Sequence, residues 1–524
     1  MKEVQKMKKT VMLILGVFLS AALPLAADTE TIGDYTWEYS ISSGTAEIIG
    51  VSPAIGSLAI PSTLGGYPVK GIGANAFADC DQLSSVTIPD GVESIGTNAF
   101  HNCAVMAVVT FGNGMKRIDE NAFLGCKSLA VVTIPSGVEH IAYGTFSGCS
   151  GLTDLTIGEN VKTIGVGAFF DCIGLTRVTI PDKVISIGES AFSGCVGLTD
   201  LTIGSAVESI GANAFSGCSG IAGKLVIPDG VKHIGAGAFS GWDRLIEVTM
   251  PDSVETVGDE AFKGCVALTK VTIGSGVKSF GDGVFSGCIA LPDIMIPGNV
   301  ESLGENAFYG CVGLTGVSIG SGLKMIRPNT FSGCRALVDV TIPSGITNIS
   351  YGAFADCIGL ASVTIGEGVE EVGTEAFSGC SALTYVTIPG NVVSIGDRAF
   401  QNCSAMTGVT ISNGVTHIGE GTFSGCSKLT SVVIPDGVES IGDNAFYECR
   451  VMTSAKIGTG VKTIGAGAFQ GCRGLTGVEI PDGVTSVGDS AFQDCAALTR
   501  AEIGIGVRSI GASVFSGCGA LAGI

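Results

Sequence analysis

Residues 427–449 read SKLTSVVIPDGVESIGDNAFYEC, and this stretch is rewritten every 23 residues from about residue 58 to the end of the chain. Its apolar letters stand in fixed columns: Leu429, Val432, Ile434, Val438, Ile441, Ala445, Phe446 and Cys449. Twenty-three places later the columns hold Met452, Ala455, Ile457, Val461, Ile464, Ala468, Phe469 and Cys472. A fixed period of this length signals a stacked array rather than a set of globular domains. Such an array grows as one quasi-one-dimensional body, so 524 residues imply one solenoid and not three domains. One coil alone buries too little apolar surface to offset the entropy of ordering it, so coils are stable only when stacked.

The parts of the repeat have different local readings. LTSVVI is β-rich and alternating, and Pro435 closes it as a strand end, where a missing N–H does no harm. Asp436-Gly437 is a turn, and Val438 to Ile441 is a second short extended stretch. Gly442 suits a positive φ or a close backbone approach. DNAFYEC reads as a helical or 3₁₀ turn. Of 24 phenylalanines, 20 occupy one column, from Phe77 and Phe100 to Phe515, which assigns them to the core. The strand-closing residue alternates, as in Pro89, Gly112, Pro135 and Gly158, so the unit is a pair of coils, 46 residues long.

The residue after the Val column alternates in sign: Glu93, Lys116, Glu139 and Lys162, then Glu208, Lys232, Glu255, Lys278, Glu301 and Lys324. Opposite charges across a ladder are favourable by about 0.2–1 kcal/mol and like charges are not, so this column is expected to be exposed and in register. The phase slips once. Cys218 to Trp242 spans 24 residues, with Lys224 near the insertion, and the slip near 218–242 marks a seam where a kink or a binding site is one reading.

Residues 1–27 differ from the rest. Lys2, Lys6, Lys8 and Lys9 precede an apolar run from Val11 to Leu19, and small residues follow to Ala27. This is the pattern of a secretory signal peptide with cleavage after Ala27, and the run is too short to span a bilayer. The mature chain then has no membrane span. Residues 28–57 lie outside the repeat. DYTWEYSI and TAEIIG read as two alternating strands around a turn, with Tyr35, Trp37 and Tyr39 on one face. They are expected to form an N-terminal β cap over the open first coil, with sugar stacking on Trp37 as an alternative. After LAGI no cap, sorting motif or anchor is seen.

Exported cysteines usually form disulfides, but all 19 here fall in one column, from Cys80 to Cys518. Column neighbours point the same way, and their number is odd. Trp242 stands where a cysteine is expected, as a core filler can be replaced but half of a disulfide cannot. Buried free thiols are therefore expected.

Little else in the sequence carries chemistry. The net charge of −20 and the lack of a basic patch exclude nucleic acid as a partner and favour cations or basic proteins. His140, His233 and His417 share a column but are coils apart; His140 and His233 are about 19 Å from each other at about 4.8 Å per coil. The cysteine spacing is unlike the paired spacing of zinc sites. Asp90, Asp436 and Asp482 are dispersed and the nonapeptide calcium repeat is absent. Neither a cofactor, a metal site nor a catalytic constellation is expected, because each coil offers the same groups. The candidate surface is a threonine row between the Val and Ile columns: Thr87, Thr110, Thr133, Thr156, Thr179, Thr202, Thr249, Thr272, Thr341, Thr364, Thr387 and Thr410. Towards the C-terminus it becomes Lys456, Glu479 and Glu502. It reads either as an ordinary exposed strand face or as a flat docking surface. Ice binding is disfavoured, since a second threonine rank is expected for it and none is identified.

LTSVVIP, VESIG and AFYEC at 429–449, with IPSTLGGYPVKGIGANAF at 60–77, resemble the BspA-type leucine-rich repeats of bacterial surface proteins. The resemblance covers residues 58–524 and turns on a Pro or Gly turn where most leucine-rich repeats place Asn. It implies a mainly β, right-handed coil stack of about twenty coils, some 95 Å long at about 4.8 Å per coil. It also implies a secreted or cell-surface, adhesin-like protein without enzymatic activity that binds host, matrix or neighbouring-cell proteins. The alternative function is self-association as a structural surface component.

Overall fold

The computed structural model describes residues 27–522. The chain is a β-solenoid of about twenty coils, and each coil contributes two short parallel strands. In the coil quoted above these are Ser431–Val433 and Ser440–Ile441. Both pair with their equivalents 23 residues on, Val432 opposite Ala455 and Ile441 opposite Ile464. The apolar columns thereby become continuous inner walls. The expected leader lies outside the described residues except for Ala27. Among the described residues no helix is long and apolar enough to cross a membrane.

Coils pair in twos. A coil closed by proline meets the following glycine-closed coil over a full strand, as Val131↔Asp154 to Thr133↔Thr156. Across the opposite junction at most one register pair forms, for example Ser362↔Tyr385. The residue before a proline is held extended. This keeps the Ile134 N–H aimed at the Thr156 carbonyl of the next coil, 2.9 Å away. Glycine must follow because the backbones converge there: a Cβ on Gly112 would fall on the Pro89 carbonyl carbon. Gly442 takes the close-approach role rather than a positive φ, since a Cβ there would lie 2.6 Å from the Gly419 carbonyl carbon.

The DNAFYEC segment is not helical, which corrects the expected helical or 3₁₀ turn. Asn444 and Glu448 sit at φ 54° and 58°, in the left-handed region, and interrupt helical propagation. Backbone N–H groups instead alternate in direction. Tyr447 and Cys449 donate back to Asn444 and Phe446, at 3.0 and 3.3 Å, closing turns within the coil. Asn444, Phe446 and Glu448 donate to Ala466, Ala468 and Gln470 of the next coil at 2.7–2.8 Å.

Inside that wall the phenylalanines form one continuous near-parallel stack. Phe446 and Phe469 have ring centroids 5.1 Å apart at 7°. Each cysteine from Cys103 onward donates its S–H to the phenylalanine carbonyl of the preceding coil, as Cys449 does to Phe423 at 3.3 Å. The cysteines are free thiols. Burial pushes Cys149, Cys218 and Cys426 up to about 12, which leaves them protonated and unreactive. Trp242 clarifies the column: its indole N–H donates to the Phe215 carbonyl at 2.7 Å. The position calls for an apolar body with a donor, and tryptophan supplies both. The seam is absorbed here. Ser209 pairs with His233, 24 residues away, the strand ladder shifts between Gly223 and Lys224, and Phe215–Phe239 opens to 5.8 Å.

Residues 28–57 form strands Asp28–Ile32, Tyr35–Ser42 and Thr45–Ser52, paired antiparallel in that order. The last also runs parallel to Tyr67–Ile72 and so extends the solenoid sheet. Trp37 is only 2% exposed, so it offers no face for stacking on a sugar.

Candidate functional site

The twelve threonines of the predicted row form one outward rank. All are exposed except Thr249, which is half-buried. Their register is fixed by the strand ladder, with Thr87↔Thr110, Thr179↔Thr202, Thr341↔Thr364 and Thr387↔Thr410 directly opposed. Among the described residues only Thr410 commits its hydroxyl within the chain, sharing a 2.5 Å bond with the Tyr385 hydroxyl. The other eleven project uncommitted donors and acceptors at the coil spacing. Three of its departures from threonine offer apolar surface, at Val226, Met295 and Val433.

A second threonine rank is present, one residue after the Leu column, and sequence reasoning missed it. Thr384, Thr407, Thr430, Thr453, Thr476 and Thr499 each donate a hydroxyl hydrogen bond to the carbonyl of the equivalent residue one coil earlier, at 2.9–3.3 Å. These hydroxyls staple one coil to the next and are not available to a ligand. Its signal was the recurrence of Thr directly after Leu or Met, as in Leu429-Thr430 and Met452-Thr453.

A charge rank on the same face was also missed. It runs Asp154, Arg177, Asp200, Lys224, Glu247, Lys270. Arg177 pairs with Asp200 at 3.0 Å, and Glu247 takes both Lys224 and Lys270, at 3.3 and 3.1 Å. The ladder that was read from sequence lies beside the second strand. Glu93 is gripped by Lys116 and Lys70 at 2.6 and 2.8 Å, and these two ammonium groups, Lys116 foremost, hold its carboxyl down to about 2. Lys162–Glu139 and Lys232–Glu208 continue the ladder at 2.7 and 2.9 Å.

The model of the BspA type leucine rich repeat region matches six overlapping stretches, residues 70–196, 139–223, 163–291, 221–338, 324–452 and 393–522. The chain belongs to the BspA-type leucine-rich repeat family. Among solved structures, a leucine-rich repeat protein from Bacteroides ovatus is 27% identical, with TM-score 0.57, over 78% of this chain and 95% of that one. The T. pallidum leucine rich repeat protein is 30% identical over 35% of this chain and 87% of its own, with TM-score 0.34. A leucine rich cell surface protein from Faecalibacterium prausnitzii is 22% identical over 84% and 96%, with TM-score 0.30. No curated protein matches the chain.

Several other polar groups of this BspA-type array are used structurally. Turn aspartates cap the next coil: Asp90 accepts from the Asn113 N–H and Asp436 from the Thr459 N–H, both at 2.8 Å. Asp482 does the same for Ile505 at 2.9 Å. His140 and His233 bond Thr163 and Thr256 of the following coil, and His417 bonds its neighbour Thr416. Among the described residues no group of three or more His, Cys, Asp or Glu could hold a metal ion. At the seam an open groove runs past Glu208, Lys232 and Glu255, where Lys232 pairs with Glu208 and the Glu208 carboxylate, foremost, holds its ammonium pKa up.

Proposed function

We propose that this protein is a secreted or cell-surface scaffold that binds host, matrix or neighbouring-cell proteins through the threonine-rich strand face. BspA-type repeats are interaction scaffolds, typically non-catalytic, and leucine-rich repeat proteins generally bind proteins. The observation that carries the reading is the row of uncommitted hydroxyls from Thr87 to Thr387, all but Thr249 exposed, in contrast to Thr384–Thr499 of the adjoining rank, whose hydroxyls bond between coils. Rigid, repeated polar groups with apolar interruptions suit a broad protein surface, since ordering them costs little on binding.

Within this reading, residues 1–27 export the chain with cleavage after Ala27. Residues 28–57 cap the first coil through their sheet pairing, and residues 58–524 present the face. The test is capture of purified extracellular-matrix proteins by the immobilised mature chain. Replacing Thr341, Thr364, Thr387 and Thr410 by lysine should abolish capture while the far-ultraviolet spectrum stays the same. Undiminished capture overturns the assignment to this face.

A further inference from the structure

We infer that the strand face accepts an arginine side chain of its protein partner over Gly316, between Asp293 and Asp339; the inference rests on the proposed role of that face. Further along the charge rank described above, the alternation of acid and cation stops after Asp293, and beyond Asp339 the rank continues uncharged as Ser362, Tyr385 and Gly408. Asp154 and Asp200 have Arg177 between them, and Glu247 and Asp293 have Lys270 between them. Asp293 and Asp339 have Gly316, in register with both. Both aspartates are exposed, and among the described residues neither has an ion-pair or hydrogen-bond partner for its carboxylate. These two acids therefore have no cation of the rank between them.

The vacancy is also a space. A Cβ built on Gly316 meets no heavy atom within 4 Å, whereas most glycines that follow a close coil junction have no such room. Two coil spacings separate the aspartates, about 10 Å, so a cation entering between them would lie within about 5 Å of each register position. A guanidinium presents donors on more than one edge and can serve two carboxylates at once, which an ammonium does less well. An arginine stem needs apolar cover, and two exposed side chains flank the gap. Met295 is 69% exposed in the coil of Asp293, and Val338 is 50% exposed in the coil of Asp339. A chain of net charge −20 steers basic segments towards itself.

The test is a titration of the mature chain with a short blocked peptide carrying one central arginine between valine and threonine, followed at the Met295 methyl resonance. The same peptide with neutral citrulline should bind about five- to tenfold more weakly, as expected for two exposed ion pairs. Gly316→Arg, which supplies the missing cation from within, should abolish the Met295 response; the position has room, and its φ is outside the left-handed region. Should that variant misfold, D293N combined with D339N must give the same loss. Equal responses to the arginine and citrulline peptides, or an unchanged response in these variants, overturn the inference. Matrix-protein capture that survives Gly316→Arg but not lysine substitution along the threonine row overturns this inference alone. Capture that survives both overturns it together with the proposed function.

Discussion

The wall of the solenoid that carries Phe446 and Cys449 and the wall that carries Thr430 and Val433 obey different rules. On the turn wall every coil supplies the same two groups, a ring and a donor, and the one exception, Trp242, still supplies the donor. On the strand wall neighbouring positions diverge. Thr430 spends its hydroxyl on the Thr407 carbonyl, whereas the hydroxyl of Thr387, in the adjoining rank, bonds nothing among the described residues. Uniform columns in this fold record what stacking demands. Positions that vary between coils, such as Met295, Gly316 and Tyr385, are released from that demand and are free to carry recognition.

The sharpest way to break this comparison is on the turn wall. Phe331 stacks between Phe308 and Phe354 at 5.4 and 5.2 Å and is 1% exposed. Phe331→Ala should cost about 3–5 kcal/mol, because it removes a buried ring and leaves a gap that both neighbours line. Chemical denaturation would show this as a lower midpoint, and hydrogen exchange would place the loss in the adjoining coils. A cost below about 1 kcal/mol would mean the stack is not what holds the coils together.

A smaller effect separates the two threonine ranks. Thr430→Val deletes an inter-coil hydrogen bond at constant shape and should destabilise by about 1 kcal/mol. Thr387→Val removes a hydroxyl without a partner and should remain within about 0.5 kcal/mol of the parent. Equal costs for the two substitutions would erase the distinction between stapling and displayed threonines, and with it the case for the displayed row as the binding face.

Much of this was legible in the sequence because the period translates directly into register. Once Val432 and Ala455 are 23 residues apart in one column, their pairing follows, and so do the phenylalanine stack and the parallel thiols. Other features depend on distances between coils that one repeat does not contain. The alternation of Pro89 and Gly112 was visible, but its cause, the near-contact of the two backbones, was not. The turn at Asn444 was misread because two left-handed residues, Asn444 and Glu448, near the ends of a helix-like stretch redirect its N–H groups along the stack. The stapling threonines were overlooked because Thr430 directly follows a core leucine, where strand alternation does not identify a bonding role. The gap at Gly316 becomes visible only when the charge rank around it is recognised as a ladder.

The smallest expected effect concerns the outer ladder and depends on pH. Glu93 carries a carboxyl held down to about 2 by Lys116 and Lys70. An unfolded glutamate titrates near about 4.3. A group with a lowered folded value contributes stability that is fully present above the unfolded value and is lost as pH falls through the folded one. The parent should therefore lose denaturation midpoint as pH drops from about 4.5 to about 2, and Glu93→Gln should lose less over the same window. Because the Glu93 side chain is 37% exposed, added salt should shrink the difference, since screening weakens such pairs. A pH profile of Glu93→Gln that parallels the parent would show that the sign alternation along this column only avoids like-charge contacts. A divergence would show that it holds neighbouring coils in register.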